Sequence, residues 1–272
     1  MTNYINPFEK RTFSARFRAV FAFAKQNFLQ VIKYNLILFM VIAALFAWFI
    51  SANPDSKMNN LGSLVNFVCF SYFTHYMLNR GDMSATSFKK MLGSTGRAFV
   101  KVFVASIPVA IILIPVISVV LFVTIIAAKA KVLIIAGLVF VLFGLVILYM
   151  MPIWNMYYAH YYFSNKFKST VDAFKESFRM IKGHWWSAFG FILVFGLIGE
   201  LTVVLVSIPI LVLLPGFIGM FLSLTIAFIV FFFTTHTALV FQYGHLKTLK
   251  EECEEEGCEE ENVSVIEEGI EE

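Results

Sequence analysis

Six long apolar runs, separated by polar or turn-forming connectors, dominate the pattern of this chain. They occupy residues 34–50, 61–78, 102–127, 132–162, 186–208 and 216–243. Roughly 20 helical residues, rising about 1.5 Å each, cross a hydrocarbon layer of about 30 Å, so each run predicts a membrane-spanning helix. The first two are short for that task, and the fourth must tilt or project beyond the layer. Only residues 128–131 separate the third run from the fourth. Residues 209–215, bounded by Pro209 and Pro215, separate the fifth from the sixth, and both connectors are hairpin-sized. The predicted fold is all-α: one six-helix membrane bundle over residues 1–250, followed by an acidic, disordered tail at 251–272.

A second pattern precedes the first run. Phe13, Phe17, Val20, Ala24 and Phe28 recur at helical spacing, while Arg11, Arg18 and Lys25 recur on the opposite face. Aromatic and basic faces together describe a helix lying in the headgroup plane, with Arg11, Arg18, Lys25, Phe17 and Phe28 as its lipid contacts. A short soluble helix packed on the bundle is the competing reading. A similar stripe, Val171, Phe174, Phe178, Ile181 and Trp185, precedes the fifth run, with Ser169 and Asp172 placed as a capping box. A fainter copy with Phe88, Lys89, Leu92, Phe99 and Phe103 precedes the third. The chain thus reads as three repeats of an amphipathic helix plus a transmembrane hairpin. Their shared orientation distinguishes them from inverted transporter repeats.

Composition agrees with the apolar pattern. Of the 272 residues, 59% are hydrophobic and 14% charged, and Phe alone occurs 32 times. Soluble globular chains carry about 25% charged residues. The net charge of +3 conceals a division, because twelve of the eighteen acids are Glu residues in the tail beyond Lys250. Eighteen of the twenty-one Lys and Arg residues fall on one side of the six runs; only Lys57, Lys129 and Lys131 fall on the other. The positive-inside rule therefore predicts a multi-pass inner-membrane protein with both termini cytoplasmic. The long polar leader argues against a cleavable signal peptide. A basic collar of this kind attracts anionic headgroups, at about 1 kcal/mol per well-placed cation. No nucleic-acid recognition motif accompanies it, so lipid is the expected partner, and the acidic tail could dock a basic protein.

One cytoplasmic loop carries a recognisable motif. In Ala173-Phe-Lys-Glu-Ser-Phe-Arg-Met-Ile-Lys-Gly-His-Trp-Trp, the residues Ala173, Ser177, Lys182, Gly183, Trp185 and Trp186 stand at the positions of a bacterial signature. This stretch resembles the membrane domain attached to some bacterial glycerophosphodiester phosphodiesterases, and its polytopic relatives of unknown function. The resemblance implies a membrane bundle but no hydrolase activity, since the soluble catalytic domain is missing from this sequence. It also implies no agreed catalytic residue.

Polar residues within the runs are the remaining candidates. Glu200 is the sole acid inside any run. A carboxylate at that depth costs a few kcal/mol, so it should face the bundle interior, water or a partner. It reads either as a proton or cation site or as a neutral acid bonded to a neighbouring helix. His75, His160 and His236 all fall near the cytoplasmic ends of the even-numbered runs. They could ligate a metal or relay protons, but bonding to headgroups or backbone explains them more simply. Asn66, Asn155 and Gln242 suit interhelical hydrogen bonds. Trp154, Tyr157, Tyr158, Tyr161 and Tyr162 suit an aromatic belt. Cys253 and Cys258 make a poor metal site without a nearby His, and Cys69 reads as packing.

No paired carboxylates, nucleophile–base grouping, phosphate-cradling glycine loop or zinc spacing is present. The expected protein is therefore not an enzyme and needs no cofactor or metal. Two functions fit: a non-enzymatic module organising lipid or partner proteins, or a transporter of an ion, metabolite or lipid using Glu200. The scarcity of polar groups in the runs favours the module.

Overall fold

Apolar chain without water to satisfy its peptide groups must bond them internally, and a helix does so within one segment. The computed structural model describes residues 4–52, 62–84, 86–129, 133–163 and 170–255. All described regular structure is helical. The helices are α1 (Phe13–Ala52), α2 (Gly62–Leu78), α3 (Phe88–Lys129), α4 (Leu133–Phe163), α5 (Thr170–Ile181), α6 (Trp185–Leu213), α7 (Phe217–Phe231) and α8 (Thr237–Glu255). A single π-helical turn, Phe232–His236, joins α7 to α8 without a break. Lys57, Lys131, Lys166, Lys168, Ser169, Cys258 and tail residues 256–272 lie outside the described residues.

Four helices are long and apolar enough to cross a membrane: Phe13–Ala52, Gly137–Phe163 within α4, Trp185–Leu213, and the continuous Phe217–Glu255. The other two expected spans do not reach that standard among the described residues. Helix α2 has 17 residues, or about 26 Å of rise. The apolar stretch described in α3 is limited to Ile117–Ile126.

The amphipathic segments differ from one another. Phe13–Ala52 is one unbroken helix, so the first amphipathic stretch extends a span and does not form a separate helix in the headgroup plane. Helix α3 likewise starts at Phe88 and continues through its apolar half. Only α5 is separate, because Gly183 takes φ +84° and turns the chain before α6 starts. Nothing comparable interrupts Gln30–Tyr34. Pro209, expected in a connector, is absorbed into the last turn of α6, and the turn to α7 falls at 214–216. There the approach is tight: a Cβ on Gly219 would lie 1.7 Å from the Leu214 carbonyl oxygen.

The chain forms two compact units, Met1–Phe99 with Gly183–Glu272, and Val100–Lys182. In the first, α6 and α7 pair as a hairpin and α1 packs along α7. An aromatic core binds α1, α2, the π turn and α8. The Phe23 ring stacks on Phe73 at 4.8 Å and meets Tyr76 edge-on at 5.2 Å and Phe241 at 6.0 Å. Tyr72 meets Phe232 edge-on at 5.5 Å. Each of these rings is essentially sealed from solvent, and such pairs add about 0.5–1.5 kcal/mol beyond their buried area. In the second unit, α5 rests on α4 through Ala173 and Ser177, whose small side chains let Phe174 reach Tyr157 at 6.0 Å. The Lys101 ammonium sits 5.5 Å from the Tyr162 ring centre.

A non-helical strap, residues 4–12, closes one end of the first unit. The Ile5 N–H donates to the Tyr76 hydroxyl at 3.1 Å, and the Tyr4 ring lies 5.4 Å from Tyr76. Asn6 folds the strap on itself, accepting from the Phe8 N–H at 3.1 Å. Phe8 meets Tyr243 edge-on at 5.6 Å, and Lys10 pairs with Glu252 at 2.9 Å. The strap crosses α8 at Gly244, where a Cβ would fall 2.2 Å from the Pro7 carbonyl oxygen. Because backbone opposes backbone, neither side can yield by a rotamer change. Gly244→Ala should therefore lift the strap and cost about 1–3 kcal/mol. A lowered thermal unfolding midpoint in detergent, with faster proteolysis near Pro7, is the expected result; an unchanged midpoint contradicts the crossing.

Candidate functional site

The buried face of α1 is not its aromatic stripe. It is Arg16, Ala19, Val20, Phe23, Asn27, Val31 and Asn35, a set that includes three polar side chains. Phe13 and Phe28 remain largely exposed, although Phe17 meets Phe195 at 4.9 Å and Phe28 stacks on Phe233 at 5.3 Å. Arg18 and Lys25 are exposed, as a lipid-facing role requires. Arg11 departs from that group: its side chain is only 13% exposed and is drawn in against α8.

Arg16 is 3% exposed and joins three helices. From α1, its guanidinium donates to Gln242 Oε1 on α8 and, at 2.8 Å, to Ser187 Oγ in the first turn of α6. The rings of Phe191 and Phe13 lie 5.3 and 5.8 Å from its central carbon. Arg11 adds a second link. Its backbone N–H donates to His245 Nδ1 at 3.2 Å, its guanidinium pairs with Glu9, and Phe241 lies 5.6 Å away. Arg11 Nη1 and Gln242 Nε2 are sealed from solvent and have no acceptor among the described residues. Gln242 suits its expected role as an interhelical bond. The polar weight of this end was missed because Arg16 and His245 look like ordinary collar residues in sequence.

The remaining candidates are dispersed. Glu200 is exposed on α6, not turned into the interior of its unit. Its neighbour Gly199 takes the packed face, where a Cβ would lie 2.6 Å from Thr234 Oγ1 of the π turn. The next residue of a helix points about 100° away. His75 bonds Ser94 Oγ at 2.8 Å, whereas His236 Nδ1 bonds the Phe231 carbonyl of its own helix at 2.9 Å. His160 is buried in the second unit. No group of three His, Cys, Asp or Glu side chains able to hold a metal occurs among the described residues. Asn155 bonds the Met151 carbonyl of its own helix at 3.0 Å, so that amide does not join helices. Of the loop motif, Ala173 and Ser177 are packing residues, Gly183 makes the turn and Lys182 is exposed. Trp185 stacks on Phe189 at 4.8 Å, and Trp186 is 78% exposed.

Three further buried polar groups escaped the sequence reading. Asn35 is fully buried, and among the described residues neither of its amide atoms nor the hydroxyls of Ser223 and Thr235 has a bonding partner. The π turn that contains Thr235 is a kind of local irregularity that recurs at functional sites.

His245, just past the apolar run ending at Tyr243, is held neutral. Burial, then the nearby charges of Arg16, His184, Lys10 and Arg11, lower its pKa from 6.5 to about 3. In the unfolded chain it protonates near 6.5, so the unfolded state gains protons first as the pH falls. Stability should therefore drop progressively from about pH 6.5 toward 3. Thermal midpoints between pH 7.5 and 4.5 (about the accessible range) should decline less steeply in His245→Asn, which retains an acceptor for the Arg11 N–H. Parallel slopes in the two proteins count against a neutral His245.

In comparisons with known proteins, the chain matches no family model, no curated protein and no solved structure.

Proposed function

We propose that the protein is a non-enzymatic integral membrane module that gathers anionic lipid, and through it partner proteins, at the cytoplasmic face of the inner membrane. One observation carries the reading: on α1 and α5, exposed aromatic side chains alternate with exposed cations. On α1 they are Phe21, Phe28, Arg18 and Lys25; on α5 they are Phe178, Lys175 and Arg179. On the separate helix α5 such a face seats rings at the acyl boundary and cations among phosphates; on α1, which continues into a span, the cations flank the headgroup end of that span. Lys175 and Arg179 also line, with Phe174 and Phe178, an open hollow of about 290 Å³. The charge asymmetry supports a cytoplasmic location for each of these two segments, and the phosphodiesterase-domain resemblance of the α5–α6 loop fits a membrane module.

A second reading, transport, draws on a different observation, the unbonded buried amide of Asn35. A polar group of this kind can line a route only if others continue it, and Glu200 faces outward. The full-length protein in nanodiscs of mixed zwitterionic and anionic lipid separates the two. Lipid retained after extraction should be enriched in the anionic species. Replacing Arg18, Lys25, Lys175 and Arg179 together with Gln should reduce that enrichment about threefold or more, at roughly 1 kcal/mol per cation before screening. Retained lipid matching the bulk composition sinks the module. Proton-coupled flux in proteoliposomes that disappears in Glu200→Gln establishes transport instead.

A further inference from the structure

Donors outnumber acceptors where the strap meets α8 and the start of α6. The Gln242 amide has one orientation open to it. Arg16 takes its oxygen, and the reverse placement would set an NH2 group against a guanidinium. Its Nε2 is therefore left without an acceptor among the described residues, on a residue with no exposed surface. Arg11 Nη1 is in the same condition, although the other end of that guanidinium meets Glu9. Leaving one such donor unmet costs about 1–3 kcal/mol, and two in one cluster point to a missing acceptor.

The surroundings fit an anion. Lys10, Arg11 and Arg16 all bring positive charge to bear on His245, which stays neutral among them. The acids nearby, Glu9 and Glu252, are engaged at the exposed rim with Arg11 and Lys10. Helix α6, 29 residues long, opens here. His184 at its N-cap makes no side-chain capping bond, and Ser187 of its first turn holds Arg16. First-turn N–H groups and the helix dipole favour negative charge at that end.

We propose that this end of the first unit binds a phosphate group, with Arg11 and Gln242 as its side-chain donors and the opening turn of α6 supplying backbone N–H groups. A tetrahedral oxyanion offers several acceptor oxygens in divergent directions, as donors from three chain segments require. Halide offers a single centre. The phosphate could belong to a lipid headgroup or be free in solution; the first source rests on the lipid-gathering function proposed above, and the second does not.

The test uses delipidated full-length protein in a maltoside detergent. Three titrants are compared at constant ionic strength: short-chain phosphatidic acid, inorganic phosphate and chloride. Binding is read from the thermal midpoint and from Trp fluorescence. A saturable rise with either phosphate compound but not with chloride is expected, and the compound that saturates at lower concentration identifies the source. Gln242→Glu replaces the unmet donor with an acceptor, so it should raise the midpoint without titrant and weaken phosphate binding at least tenfold. Arg11→Gln should also weaken binding at least tenfold while the protein stays folded, which keeps the test valid if the first variant misfolds. A linear or chloride-equivalent response in folded wild-type protein overturns the site, since water then satisfies the donors. Equal binding by wild type and both folded variants overturns it too. Anionic-lipid enrichment in nanodiscs depends on Arg18, Lys25, Lys175 and Arg179, so it can survive the loss of this site. Binding of inorganic phosphate alone would keep the site while counting against the lipid source.

Discussion

A guanidinium buried among apolar helices must be supplied with acceptors, and Arg16 obtains them from two other helices at once. Burying such a charge without partners is prohibitive, whereas breaking a satisfied buried link typically costs about 3–5 kcal/mol. The requirement fixes the axial positions of α1, α6 and α8 relative to one another at one end. Phe13, Phe191 and the strap residues fit around that junction. Apolar packing alone fixes axial position poorly, because one Leu-rich or Phe-rich ridge fits another in several registers. A directional polar link removes that freedom, as a buried Asn does in a coiled coil.

Farther from the junction, closeness replaces polarity as the organising constraint. Gly199 lets α6 approach the π turn, Gly219 lets the α6–α7 turn close, and Gly244 lets the strap cross α8. Without a hydrophobic drive between helices in lipid, small residues at contacts allow the close van der Waals approach that holds them together. The extra residue of the π turn shifts the helical phase of α8 relative to α7. That shift coincides with a change of surroundings, from α7 packed along α6 and α1 to α8 beneath the strap.

The chain displays its apolar helices openly and its polar junction hardly at all. The run at 132–162 and the helix Leu133–Phe163 agree to a residue, because hydrocarbon length imposes a long uniform signal. The continuity of α1 was less legible. An amphipathic stretch and a span share the same helical period, and only a breaker such as Gly183 before α6 separates them. The stripe Phe13, Phe17 and Phe28, expected to face lipid, leaves Phe13 and Phe28 exposed while Phe17 packs against Phe195, since aromatic spacing identifies a face without saying whether lipid or protein covers it. Arg16 sits between Phe13 and Phe17 in a segment rich in cations, so composition could not single it out. Its partner Gln242 lies 226 residues away, beyond any local pattern.

The polar residues within the helices divide into two kinds, and the division bears on what such a bundle can do. Most hydroxyls bond back to their own helix: Thr74 to Phe70, Thr124 to Val120, Thr202 to Ile198, Thr225 to Phe221 and Thr234 to Val230, all at 2.7–2.9 Å. Asn27 bonds the Phe23 carbonyl in the same way at 3.1 Å. A side chain satisfied by the carbonyl four residues earlier asks nothing of its neighbours and presents little to a passing ion. A translocation path needs groups that trade partners in sequence. Away from the strap, Asn35, Ser223 and Thr235 are the described buried amides and hydroxyls with bonding capacity to spare. At the strap end the surplus is of another sort: fixed donors, gathered around positive charge and closed over by residues 4–12. Fixed donors of this kind suit the proposed anion site better than a path whose groups must trade partners with a passing substrate.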